Sequence, residues 1–357
     1  MTLSRLLLRI LLLCTIVAGM SALPAAAASE LKGAGATFPQ PLYEMLFTMY
    51  QRRHAVKVVY EGVGSGEGLR LLSTRTIDFA GTDKMASQET TDAGSGAVLN
   101  IPTCVGAVVV VYNVPGNPKL RFTPEVVADI FLGRIKRWND PRIAAVNPPG
   151  DLPDIPITVV YRIDASGTTF IFSDYLAKTS GEWSDRIGKG TFLKWPTGQG
   201  AKGNPGVAGL VRQIPGSIGY VELVYAIGNK MTFGTLRNRS GRFIVPTVKS
   251  VTAAASIDLA SSADYSLTDT PVPDGYPVSG FTWIALYREQ NYSGRTREKA
   301  QHLVKLLSFI VHEGQKYATS LHYAPLPKNV RRSAHTLLGT VTHGGAPVHR
   351  HRAAAGR

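Results

Sequence analysis

Read from its first residue, the chain moves from a single apolar stretch to segments that alternate between two periods. Arg5 and Arg9 precede an apolar run from Ile10 to Val17, followed by the small-residue stretch Ala22 to Ala28. A positive start, a short apolar middle and small residues at the end describe a secretory leader, too short for a stable span, with cleavage expected near Ala28. Leu31 to Ala34 then reads as a strand. Pro39 to Arg53 places Leu42, Met45, Leu46, Met49 and Tyr50 on one face of a helix. Val56 to Tyr60 is β-branched and strand-like, Gly64 to Gly68 is a glycine loop, and a short helix starts at Leu69. Ile77 to Ala80 is a further strand. Val105 to Tyr112 is apolar on both faces, the pattern of a strand in a buried parallel sheet.

The alternation continues. Thr123 to Phe131 and Gly167 to Lys178 have helical spacing, and Ile157 to Tyr161 is the strand that feeds the second. Phe281 to Tyr287 is an apolar strand, and Glu298 to His312 a helix with Ala300, Leu303, Leu306 and Leu307 inward. Strands alternating with helices imply α/β units with mainly parallel sheets. From about Ser333 the pattern gives way to Gly, Ala, His and Arg, and residues 333–357 are expected to form a basic, disordered tail.

At 357 residues the chain has room for about two domains, and 44% hydrophobic against 18% charged residues makes it globular. The net charge of +14 suggests a nucleic-acid partner until its distribution is read. Arg5 and Arg9 lie in the leader, while Lys328, Arg331, Arg332, Arg350, Arg352 and Arg357 lie at the end without an acidic residue among them, so less than half of the excess remains for residues 29–327. No nucleic-acid partner is expected. Loss of the leader removes Cys14 and leaves Cys104 without an internal disulfide partner. There is no phosphate-loop, HExxH, GxSxG or paired-cysteine motif, and four of the eight histidines fall in the tail. Neither an enzyme nor a metal or other cofactor is indicated.

What carries chemistry is a set of four loops, each following a strand, rich in Gly, Ser or Thr, and adjoining a helix. They are Gly33 to Phe38, Gly62 to Gly66, Gly81 to Asp83 and Arg162 to Thr169. A helix start leaves N–H groups unpaired and carries partial positive charge, and glycine lets the backbone approach, so such loops suit a small anion. Each alone could be an ordinary turn or cap. The fourth adds Ser166 at a cap, Gly167 and Thr168 as donors, and the fixed charge of Arg162.

Six ordered motifs between Leu31 and Pro327 closely resemble the PstS family, periplasmic phosphate-binding proteins of the phosphate ABC transporter. They are GAGATFP from Gly33, GVGS from Gly62, DFAGTD from Asp78, FLGRIKRWN from Phe131, RIDASGT from Arg162 and GSIGYVE from Gly216. The resemblance implies a two-lobed, type II periplasmic binding protein of α/β class, with lobes that close over one phosphate and deliver it to a membrane permease. The implied ligand contacts are Thr37, Phe38, Ser65, Asp83, Arg162, Ser166, Gly167 and Thr168. It also implies two crossings, near Val105 to Tyr112 and Tyr276 to Phe281, so that residues 29–105 and 280–332 form one lobe and 106–279 the other, in a monomer.

The chemistry of these residues agrees with that role. The hydroxyls, the backbone N–H groups and the Arg162 guanidinium are donors to an anion. Asp83 is the exception, because a carboxylate repels an anion unless the ligand brings a proton to donate, as phosphate does near neutral pH and sulfate does not. Asp164 either holds the Arg162 guanidinium or turns to its own backbone. Two departures from the family stand beside these residues: Glu67, expected to point to water from a first helical turn, and Lys84, expected to be solvated. Trp138, Trp195 and Trp283 are expected in cores or lobe surfaces. The alternatives are a secreted phosphoester hydrolase, which would need a metal cluster or an activated nucleophile although Ser65 and Ser166 have no base candidate nearby in sequence, and a surface-binding protein acting through its basic tail.

Overall fold

A computed structural model describes residues 29–87, 96–148, 150, 152–257 and 265–348. The expected leader and the last nine residues of the expected tail lie outside the described residues. Two parallel units are built from strands that alternate with helices. In the first, β1 (Ser29–Gly35) pairs in parallel with β2 (Val56–Gly62) and β3 (Phe79–Thr82). Helix α1 (Gln40–Gln51) joins β1 to β2, and α2 (Ser65–Ser73) joins β2 to β3. In the second unit, β5 (Thr158–Arg162) pairs in parallel with β6 (Gln199–Ala201) and β7 (Ser217–Glu222), with α4 (Gly167–Thr179) after β5 and α5 (Gly203–Gln213) after β6. Helix α3 (Pro124–Phe131) precedes β5 and is capped by the Thr123 hydroxyl.

The long strand β4 (Val98–Tyr112) runs from one unit into the other, with β9 (Ser279–Tyr287) beside its first part. β4 pairs antiparallel with β9 over Val98–Ala107, then antiparallel with β7 over Val108–Tyr112. The short β8 (Thr232–Phe233) also lies beside the end of β4. One nine-stranded sheet results, in the order β2-β1-β3-β9-β4-β7-β5-β6 with β8 off that path. The sequence pattern of Val105–Tyr112 suggests parallel partners, and its partners are antiparallel. An apolar run reports burial on both faces, and every residue from Val105 to Tyr112 is buried, but it says nothing of strand direction. Fifteen residues at ~3.3 Å each span roughly 50 Å, enough to run through both units. At the crossing Gly106 pairs with Gly280, and a Cβ on Gly106 would strike the Phe38 ring, on Gly280 the Ile171 side chain.

Helix α1 buries Leu42, Tyr43, Leu46, Phe47 and Tyr50, so its inner face is turned toward the aromatics and away from Met45 and Met49. Tyr43, Phe47, Tyr60 and Phe79 form a ring cluster beneath it. Helix α6 (Arg297–Val311) buries Ala300, Leu303, Leu306 and Leu307 as its spacing requires. The Gly64–Gly68 segment is helical from Ser65 onward, and Gly64 alone takes the left-handed φ of +96° that turns the chain into it.

The expected disorder from Ser333 does not hold for residues 333–348. Helix α7 (Lys328–Gly339) buries Val330, Ala334 and Leu338, and a small hairpin pairs Thr342–His343 with Ala346–Pro347. Three apolar residues four apart are a one-sided helix, sparse enough to be masked by the Arg and His around them. Val341 and Val348 are buried as well, and the Glu289 carboxylate accepts from the N–H groups of Gly344 and Gly345.

Candidate functional site

The parallel strands of the two units present their C-terminal ends to one another, the place where α/β sheets bind ligands. Thr37 and Phe38 follow β1, Ser65 starts α2 after β2, and Asp83 follows β3. Across the cleft, Arg162 ends β5 and Ser166 to Thr168 open α4. All are buried. The cleft is bridged by backbone: Gly66 N–H donates to the Ala165 carbonyl at 2.9 Å, and Gly167 N–H to the Ser65 hydroxyl at 3.1 Å.

Glycine at 167 is a steric requirement, since a Cβ there would lie 2.6 Å from Ser65 Oγ and against the Asp83 carboxylate. Ser65 Oγ also lies 3.4 Å from the Asp83 N–H. With two N–H donors on its oxygen, its own proton is the one it can give away. Phe38 is held through its carbonyl, which accepts from Tyr323 at 2.6 Å. Burial pushes the Asp83 carboxyl up to about 7, against the Thr282 hydroxyl that donates to Oδ1 at 2.7 Å and the Arg162 charge.

Arg162 is a fixed cation inside the protein, its side chain 1% exposed. Nε donates to Asp164 Oδ1 at 2.7 Å, Nη2 donates to Asp164 Oδ2, and Nη1 points to Thr168 Oγ1 at 3.4 Å. Asp164 therefore grips the guanidinium. It also accepts from Gly203 N–H at 3.0 Å. Burial alone would raise its pKa, but the Arg162 hydrogen bonds and charge and the Gly203 N–H outweigh it and hold the carboxyl below its usual range. Ser166 caps α4 by accepting from Thr169 N–H at 3.0 Å.

The departures from the family motifs sit at the rim. Glu67 is a half-buried partner of the exposed Arg70 in the first turns of α2, at 2.7 and 2.8 Å. Lys84 is exposed, with Nζ 5.4 Å from the Phe170 ring centroid. Trp138 and Trp283 are buried, and Trp195 stacks on Tyr161 and Tyr220.

A model of the PBP superfamily domain matches residues 21–313. Phosphate-binding protein PstS of Xylella fastidiosa strain 9a5c is 43% identical over 311 residues, covering 84% of this chain and 82% of that protein. The chain belongs to the PstS family. PstS of Haemophilus influenzae strain Rd is 37% identical over 316 residues, covering 87% of this chain and 93% of its own. PstS of the archaeon Methanocaldococcus jannaschii is 37% identical over 324 residues, covering 84% and 82%. The two-lobed fold of periplasmic phosphate-binding proteins recurs in solved structures. A high-affinity periplasmic phosphate-binding protein, PfluDING, solved with phosphate superposes at TM-score 0.69 and 19% identity, covering 88% of this chain and 96% of its own. A putative phosphate ABC transporter substrate-binding protein from Clostridium perfringens superposes at 0.61 and 18%, covering 84% and 100%.

Contacts link the residues singled out from the sequence: Ser65 to Asp83 and Gly167, and Thr37 to Thr168 and Arg162 through Asn204. They also bring in three residues that the motifs leave out, Asn204, Tyr225 and Thr282. Asn204, at the start of α5, is wholly buried and donates to both Thr37 and Thr168. Its signal was present: Gly203-Asn204-Pro205-Gly206 follows a short strand and opens a helix, the same design as the four loops. Tyr225, which donates to the Thr37 carbonyl at 2.6 Å, and Thr282 carried no such signal, because each reaches the site only through tertiary packing.

Proposed function

We propose that this chain captures inorganic phosphate in the cleft between its lobes and delivers it to the permease of a phosphate ABC transporter. Thr37, Phe38, Ser65, Arg162, Ser166, Gly167 and Thr168 donate to the anion, with the Gly167 N–H shared between the anion and Ser65 Oγ, Asp83 accepts its proton, and Asp164 fixes Arg162. The observation that carries this reading is the pairing of a buried, clamped Arg162 with a buried Asp83 among hydroxyl and N–H donors. A site built from donors alone would take any small oxyanion, and the carboxylate rewards one that brings a proton. Family membership and the printed names of the relatives support phosphate as ligand and import as its fate.

The lobes are residues 29–105 with 280–332, extended by α7 and its hairpin to 348, and residues 106–279. The protein works as an exported monomer in the periplasm, released from its leader near Ala28, and takes no nucleic acid and no cofactor. It is a receptor and not a phosphoester hydrolase: Ser65 and Ser166 hydroxyls accept from backbone N–H groups, and among the described residues no imidazole or carboxylate hydrogen-bonds to either. Equilibrium titration of ligand-stripped protein with phosphate, sulfate and arsenate tests the reading. Phosphate should bind and raise the melting temperature, by about 2.7 kcal/mol of stabilisation at a hundredfold excess over Kd, and sulfate should do little. Equal effects from phosphate and sulfate would reduce the cleft to a general anion site.

A further inference from the structure

The orientation of the Asn204 amide is dictated by a group that can only donate. Backbone N–H of Glu222, at the end of β7, gives its proton to Asn204 Oδ1 at 3.0 Å. Nδ2 therefore faces the other way, where it lies 2.9 Å from Thr37 Oγ1 and 3.0 Å from Thr168 Oγ1. An amide nitrogen has two protons and accepts nothing, so each threonine oxygen receives one. Thr37 Oγ1 receives a second from the backbone N–H of Asn204 at 3.1 Å, and Thr168 Oγ1 a second from Arg162 Nη1 at 3.4 Å. A hydroxyl oxygen accepts two hydrogen bonds and donates one. Both threonines are filled as acceptors, and each keeps only its own proton to offer.

Thr37 follows β1 of the first unit, and Thr168 lies in the first turn of α4 in the second. One amide thus sets the sense of a hydroxyl on each side of the cleft and ties the sides together.

We propose that Asn204 is a positioning residue for anion recognition, which obliges Thr37 and Thr168 to act as donors into the cleft. The inference rests on the phosphate-receptor reading. Its consequence for specificity is that these two hydroxyls reward an oxygen that accepts and give nothing to a ligand hydroxyl that must donate. With Ser65 Oγ filled in the same way, a ligand proton is directed to Asp83. The amide supplies this without adding charge, where a lysine would attract the anion directly and an aspartate would draw the threonine protons to itself.

The experiment is a cycle of variants titrated with inorganic phosphate. Asn204→Ala should weaken binding at least tenfold in the unaltered protein and less than twofold in a Thr37→Val, Thr168→Val background, because the amide acts through those two oxygens. Asn204→Ser, too short to span both threonines, serves if the alanine variant melts early without phosphate, and should show the same contrast. No loss in the unaltered background, or equal losses in both, overturns the inference: the second result would make Asn204 a general support of the cleft. Failure of the unaltered protein to bind phosphate would instead remove the receptor reading, and this inference with it.

Discussion

The hydroxyl of Thr282, on the long strand β9, donates to Oδ1 of Asp83 at 2.7 Å and leaves Oδ2 on the side of Gly167, across the cleft. One carboxylate oxygen is thus committed to the protein and the other is turned toward the opposite lobe. Two pH effects follow from that arrangement.

The first is on stability without ligand. An Asp83 pKa raised by burial to about 7, from an ordinary value near 3.9, means that the folded protein holds a proton which the unfolded chain has already released between about pH 4 and 7. The stabilisation from this group is full below about pH 4 and declines as pH rises to about 7, by a few kcal/mol in total. A melting series from pH 4 to 8 in phosphate-free buffer should show this decline reduced in Asp83→Asn. An unchanged series would assign the decline to other groups.

The second is on selectivity. Above pH 7 the Asp83 carboxylate can only accept, and sulfate offers it nothing. Below that pH a neutral carboxyl can donate, so sulfate should bind more tightly as pH falls from 8 to 5. Asp83→Asn, a permanent donor, should bind sulfate at pH 8 at least tenfold more tightly than the unaltered protein does. Competition of sulfate against phosphate across this range reads both outcomes, and a flat sulfate profile would deny Asp83 the discriminating role.

Gly167→Ala should abolish measurable closure on phosphate while leaving each lobe folded. The added methyl would lie 2.6 Å from Ser65 Oγ and press on the Asp83 side chain, both from the other lobe. A loss in affinity of a hundredfold or more, with an unchanged far-ultraviolet circular dichroism spectrum, is expected from calorimetric titration. Retained affinity would mean that the cleft does not close in this geometry.

Arg162→Ala removes a buried guanidinium and strands Asp164, so it should cost both affinity and stability. A charge-assisted bond contributes about 1.5 to 3 kcal/mol, equivalent to roughly ten- to a hundredfold in Kd. Combining it with Asp164→Asn should restore much of the melting temperature and none of the affinity. Recovery of phosphate binding in the double variant would show that the charge itself is dispensable.

Truncation after Arg332 should destabilise the protein, because it removes the buried Ala334, Leu338, Val341 and Val348. Each fully buried aliphatic chain of this size contributes on the order of 1.5 to 3 kcal/mol, alanine less. Chemical denaturation of the truncated and full-length chains measures the difference; identical midpoints would contradict the packing of α7.

The loops of the site were legible in the sequence because their chemistry is local: Gly, Ser and Thr at a helix start leave few other uses for Gly33 to Phe38 or Arg162 to Thr169. The helices α1, α4 and α6 announced themselves by spacing. The direction of β4 was not legible, since Val105 to Tyr112 has the same apolar pattern whichever way its neighbours run. α7 was hidden by composition, its buried Val330, Ala334 and Leu338 interspersed with Arg331, Arg332 and His335. Asn204 left its trace in the Gly203–Gly206 loop, whereas Tyr225 and Thr282 reach the site only through tertiary packing, and sequence separations of 188 and 199 residues from their partners leave no local trace.

Strands β4 and β9 are neighbours in the sheet, hydrogen-bonded along Val98–Ala107 and Ser279–Tyr287, with Gly106 opposite Gly280 where, in the lobe division proposed above, both pass between lobes. Mechanically they are a single leaf spring, not a pair of tethers. A two-stranded ribbon is stiff to stretching and to sliding of its strands, since either breaks its ladder, and twist is the deformation left to it. Phe38 and Ile171, one from each lobe, lie against the two glycines of that flexure. A twist of the ribbon would reach the ring next to Thr37 first, and with it the wall of the proposed anion site.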